Sequence, residues 1–193
     1  MIEIIKPISN IKVYGLEDSI KRSKYPMSID IESLNDEITT TVTKLATSKK
    51  GEGHDNFLNG IIVQFDLTFS IKAWVEAERY HFLDFVSSQS TMHKISKMDI
   101  RNQCNEYVTE GSIKLLEELK DNYIDEPTTK NYLKLLYNIP TGFTLTAGMT
   151  TNYRQLKTIY SQRKTHRLPE WRAFCEELKE LPLSEFITGE ETQ

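Results

Sequence analysis

IPTGFTLTAGMTTNYRQLKTIYSQRKTHRLPEW, residues 139–171, changes period part-way along. IPTGFTLTAG (139–148) holds a proline, two glycines and a short alternating run, so it reads as loop and strand. Behind a cap at Thr150 or Thr151 the period becomes helical. Asn152, Leu156, Ile159 and Arg163 fall at i, i+4, i+7 and i+11 and line one stripe, the spacing of a core-facing face. That stripe opens on an amide and closes on a guanidinium that cannot shed its charge. A buried guanidinium needs pairing and hydrogen bonds. Two readings of Arg163 follow: an internal ion pair with an aspartate or glutamate, or a two-pronged fork holding a phosphate or carbonyl in a cleft. Asn152 offers both donor and acceptor, which suits the edge of a heteroaromatic ring. Arg154 lies off the stripe, free for solvent or a second subunit.

Upstream, VQFDLTFS (63–70) alternates cleanly, with Val63, Phe65, Leu67 and Phe69 on one face, and predicts a strand. IEII (2–5) reads as a short edge strand closed by Pro7. Helices are expected over 36–50, 71–86 and 129–138, and over 98–123 as one helix or two broken near Gly111. GEGHD (51–55) is a loop. Pro169 is placed as the first residue of a last helix running to about Leu181, and residues 184–193 read as a frayed tail. Strands among more numerous helices predict an α+β fold, a small mixed or antiparallel sheet packed with several helices in one domain over 1–193.

The formal charge of −4 excludes a general nucleic-acid binder but not one small anion in a pocket. No apolar run reaches the roughly 18 residues of a membrane helix, and MIEIIKPISN has no signal-peptide core, so a cytoplasmic protein is expected. Cys104 and Cys175 match no metal spacing and read as free thiols. His54, His81, His93 and His166 contain no pair three or four apart, so no helical zinc pair exists and no metal is expected. Gly-rich phosphate loops and Gly-x-Ser-x-Gly elbows are absent.

With these residues laid out, NYRQLKTIYSQR (152–163), preceded by IPTGFTLTAGMTT, resembles the C-terminal signature of flavin-dependent thymidylate synthases. There an Asn-x-Arg is followed, nine residues after that arginine, by a second arginine on the same helix, here Asn152, Arg154 and Arg163. GEGHDNFLNGIIVQFDLTFS and the segment to Ile95 resemble the family's Gly-His-Glu loop, strand, helix and arginine-histidine-arginine signature. The resemblance spans about 50–171 and implies the thymidylate synthase-complementing fold. It also implies a homotetramer, FAD, NADPH and methylenetetrahydrofolate as cofactors and co-substrate, and methylene transfer to C5 of dUMP. Carried over by position, Arg163 would polarise the uracil and act on the substrate, with Ser90 near the nucleotide. Asn152, Arg154, His81 and His54 would contact the flavin. The signature arginines, which in the family bind flavin and nucleotide phosphates, are replaced by Tyr80 and Phe82, and the closing Arg-Tyr by Met92-His93. Asp55 stands for the loop's glutamate and Gly60 for its later histidine. His93, Lys94 and Lys97 are the nearby cations. From the residues alone, His81 is as readily a core histidine, Ser90 a cap, His54 an exposed loop residue, and Trp74, Tyr80, Phe82 and Phe85 a core cluster. Three functions stay open: a diverged enzyme, a non-catalytic nucleotide or flavin binder, and a structural or interaction protein.

Overall fold

A computed structural model describes residues 6–49 and 51–189. In chain order they form β1 (Ile8–Tyr14), α1 (Leu16–Ser23), α2 (Thr40–Ala46), β2 (Ile62–Ser70), α3 (Ile71–Ala77), β3 (Asp84–Ser88), α4 (Thr91–Lys94) and α5 (Ile100–Gln103). Then come α6 (Glu110–Asp125), α7 (Thr129–Tyr137), β4 (Thr144–Asn152), α8 (Tyr153–Arg163), α9 (Pro169–Glu177) and α10 (Glu185–Thr188). The sheet is antiparallel with strand order β1-β2-β4-β3, and the α+β class expected from the sequence is the one observed. The strand expected over 2–5 lies outside the described residues.

The chain divides into two compact units, Met1–Asp66 with Tyr80–Val86 and Gly148–Gln193, and Leu67–Arg79 with Ser87–Ala147. In the first unit, α8 presents Tyr153, Leu156, Ile159 and Tyr160 to a core shared with Leu58, Trp171, Phe174 and Phe186, all buried. Aromatics of this size remove about 150–250 Å² each from water, which makes them the main cohesion of the unit. The tail expected to fray from 184 is instead helical over α10, because Phe186 and Ile187 have this core to enter. Gly15 caps α1 in the left-handed region (φ 72) and a side chain there would meet Gly60 O. Gly60 in turn abuts Ser19 Oγ, so a histidine at 60 has no room beside α1. The second unit closes on Ile95, Ile100, Ile113, Leu116, Leu135 and Phe143. The Trp74 indole donates to Leu145 O at 3.2 Å within it.

Several expected elements are redrawn. The helix over 71–86 ends at Ala77, and Asp84–Ser88 is a strand with all five residues exposed. Tyr80 and Leu83 are buried in the turn between them. Consequently Phe82 and Phe85 are surface residues, 60% and 52% exposed, and not core. The break expected near Gly111 falls earlier: Thr109 caps α6 through Ser112 N, and Gly111 lies in its first turn. The helix expected over 36–50 is only α2, capped by Thr39 through Val42 N.

Candidate functional site

The strand-to-helix junction at residue 152 builds one wall of the site. β4 runs to Asn152, past both expected caps Thr150 and Thr151, so Asn152 is extended (φ −135) and caps α8 directly, its Oδ1 accepting Gln155 N at 2.8 Å. Such a cap contributes about 1 kcal/mol and aims the first turn of the helix. Asn152 is therefore not the first residue of the helical stripe; its side chain sits on the cavity side of the junction. Arg154, Thr158 and Ser161 follow at i, i+4 and i+7 and carry the wall along the polar face of α8.

The opposite wall is Ser48, Lys49, Gly51, Asp55 and Asn59, tied to α8 by Lys157. All three Lys157 ammonium protons have acceptors: Ala46 O at 2.7 Å, Ser48 O at 2.7 Å and Asp55 Oδ2 at 2.8 Å. Asp55 is only 4% exposed, and its other oxygen, Oδ1, lies 3.2 Å from Arg154 Nε without hydrogen-bond alignment. A buried carboxylate costs several kcal/mol unless countered, and here two cations counter it. Between these walls is a cavity of about 430 Å³, within the ~300–1,000 Å³ range of small-molecule pockets. Its lining carries three cations, Lys49, Arg154 and Lys157, against one anion, Asp55, and Phe82 contributes an aromatic ring. Ser48 Oγ and Asp55 Oδ1 are buried there with no hydrogen-bond partner. Positive excess, a ring face and unmet polar atoms fit a planar, anionic, hydroxyl- or N–H-bearing ligand, which is the chemistry of a nucleotide or a flavin nucleotide.

Of the residues singled out by sequence, the structure brings Asn152 and Arg154 together on this cavity. His54 and His81 are exposed and outside the lining, while their neighbours Asp55 and Phe82 are in it. Ser90 occupies the cap position of α4, as its structural reading had it, and makes no side-chain cap bond. His93, Lys94 and Lys97 are exposed in the same region of the second unit. Arg163 is buried, 6% exposed, and is not among the cavity's lining residues. Its guanidinium carbon lies 4.9 Å from the Trp171 ring centroid and 5.4 Å from that of Tyr80. Its Nε donates to Tyr80 Oη at 2.6 Å, and that hydroxyl donates to Gln162 Oε1 at 3.0 Å. Desolvated cation–π contacts are worth about 2 kcal/mol or more each, so here Arg163 works as packing for α8 against α9.

Ser48 and Lys157 went unnoticed in the sequence, and Asp55 was noted only as standing for the loop's glutamate. Lys157 stands three residues after Arg154 on one helix edge, a signal that was available; Asp55's inward turn depends on a partner 102 residues away and was not.

No family model matches the chain, and no curated protein does. Solved structures do. Two of flavin-dependent thymidylate synthase ThyX from Helicobacter pylori, each with FAD and dUMP, align with TM-scores of 0.71 and 0.72. Both alignments cover 93% of this chain and 97% of the other at 16% identity. The chain has the fold of the flavin-dependent thymidylate synthases. At this identity the likeness is one of fold alone. Among the described residues no three His, Cys, Asp or Glu side chains gather to hold a metal, and no helix is long and apolar enough to cross a membrane.

Proposed function

We propose that the α8 cavity binds an anionic nucleotide, with FAD and a pyrimidine nucleotide such as dUMP as the two candidates. The observation that carries this is the joint placement of Asn152 and Arg154 on a nucleotide-sized cavity with a surplus of positive charge. Arg154 takes the anion; each charge-assisted contact to it contributes roughly 1.5–3 kcal/mol. The Asn152 amide faces a ring edge, and Phe82 offers a stacking face. A flavin, when bound, supplies the electrons for methylene transfer to a uridine nucleotide, with NADPH and methylenetetrahydrofolate as the other reactants. The chain's share of that chemistry is to orient the ligands and set the local charge.

One observation favours binding without turnover. Tyr80 stands where the resemblance calls for an arginine, and its hydroxyl is engaged with Arg163 and Gln162, while Phe82 replaces a second arginine. Two phosphate-binding charges are thus replaced by aromatics. Purified protein separates the readings. Oxidised-flavin absorbance released on denaturation, together with dUMP-dependent NADPH oxidation, supports the enzyme. A rise in thermal midpoint with FAD or dUMP and no NADPH oxidation supports the binder. No shift with either removes both. A homo-oligomer, a tetramer by resemblance, belongs to the same proposal. It is supported by the exposed apolar residues Phe85 and Val86 on edge strand β3, and a sizing column tests it.

A further inference from the structure

Arg154 meets the protein with one nitrogen and leaves two. Its Nε lies 3.2 Å from Asp55 Oδ1, while its two terminal nitrogens have no hydrogen bond or ion pair among the described residues. The next cation along this edge of α8 is already committed: Lys157 gives all three ammonium protons to Ala46 O, Ser48 O and Asp55 Oδ2. Asp55 is buried, so a ligand in the cavity does not reach its carboxylate. What it reaches is the Arg154 guanidinium, which is partly exposed and lines the cavity.

The geometry of the guanidinium then decides what it can hold. Asp55 lies at Nε, so the edge left to the cavity is the terminal pair of nitrogens. Two N–H groups fixed in one plane match two oxygens of a single phosphate or carboxylate. Positive charge alone would not do the same. A lysine ammonium at 154 would fall at the place of the guanidinium carbon, one bond short of the terminal nitrogens and beside Asp55. A lysine ammonium is a compact point charge without the fork. A buried carboxylate attracts it more strongly than a solvated ligand anion does, because the interaction is less screened.

Resting on the nucleotide reading above, we infer that Asp55 is a positioning residue that acts through Arg154. It holds the Nε side of the guanidinium, so that the terminal pair is presented to a ligand phosphate, and it makes arginine, not charge as such, the requirement at 154. Lys157 in turn holds Asp55. Calorimetric titration of the full chain with FAD, dUMP and inorganic pyrophosphate tests this, with Arg154→Lys as the first variant. Its thermal midpoint should stay within about 2 °C, since Asp55 keeps two cations. Its affinity for whichever probe binds should still fall about tenfold or more, the worth of one charge-assisted contact. Adding Asp55→Asn to Arg154→Lys should recover at least about threefold, because the ammonium is released to the cavity. Asp55→Asn alone, with the arginine retained, should give no such gain, because the terminal pair already faces the ligand. If Asp55 only stabilised its loop, a stable Arg154→Lys would bind as the unaltered protein does. Affinity of Arg154→Lys within about threefold of the unaltered protein therefore overturns the proposal and leaves nucleotide binding standing. An equal gain from Asp55→Asn in both backgrounds does the same, since Asp55 is then a plain counter-charge. If the double variant does not fold, Arg154→Lys decides alone. Pyrophosphate binding without FAD or dUMP removes the nucleotide reading and still tests the pair; no binding of any of the three removes both.

Discussion

Arg154 and Arg163 sit on one helix, nine residues apart, in opposite surroundings. Arg154 leaves 37% of its side chain in solvent, borders the cavity and leans on a buried carboxylate. Arg163 is 6% exposed and lies between two aromatic rings. The side chains are chemically identical, so position on the helix decides what each can do. The partly solvated one lies on the cavity wall; the other is buried in the core, between aromatic rings of the turn before β3 and of α9. An arginine that borders a cavity and one packed into the core can therefore share a signature, and only burial tells them apart.

Substitutions sharpen the contrast. The largest stability effect is expected for Arg163→Ala. It removes two desolvated cation–π contacts and the bond to Tyr80 and leaves a void, at a cost of about 3–5 kcal/mol in urea unfolding. Where the variant remains folded, ligand affinity should hold within about threefold; a large loss of affinity with unchanged stability would put Arg163 back in the binding site. Lys157→Met is next, at about 2–3 kcal/mol, because Asp55 and the carbonyls of residues 46 and 48 lose their shared donor. It should also loosen the loop, seen as faster amide exchange over 48–59. Asn152→Ala should cost about 1 kcal/mol through the lost cap.

The smallest effect is a pH slope. Burial pushes the Cys175 thiol up to about 12 from an ordinary 9.0, and burial also raises the Tyr153 hydroxyl. The folded protein keeps both protonated where the unfolded chain ionises them. Their contribution is thus full below about pH 9 and falls as pH rises toward 12. The urea midpoint should decline over that interval, and less steeply in Cys175→Ala.

Much of this was legible in the sequence where local rules operate. The strict alternation of 63–70 marked β2 to within a residue, and Pro169 marked the start of α9. Asn152 and Arg154 were singled out by their likeness to a family signature, and both line the cavity. What stayed hidden depends on exposure or on distance along the chain. β3 is exposed throughout and β1 is mostly exposed, so neither shows a two-residue period; Phe82, Leu83, Phe85 and Val86 satisfy a helical pattern equally well. Asn152 satisfies a helical stripe and a capping position alike, and only the length of β4 separates them. In the Gly53-His54-Asp55 loop the histidine drew notice, yet the aspartate turns inward because Lys157 meets it there. Nothing within the loop could have said so.

The central claim is that the open end of α8, not its buried end, receives the ligand. Side-by-side calorimetric titration of the unaltered protein and Arg154→Ala with FAD and with dUMP tests it most directly. Binding of at least one of them is expected, with a loss of about tenfold or more in Arg154→Ala and a fall in unfolding stability of about 1–3 kcal/mol, because buried Asp55 then keeps only Lys157. Equal affinity in the two proteins, or no binding by the unaltered one, would contradict it.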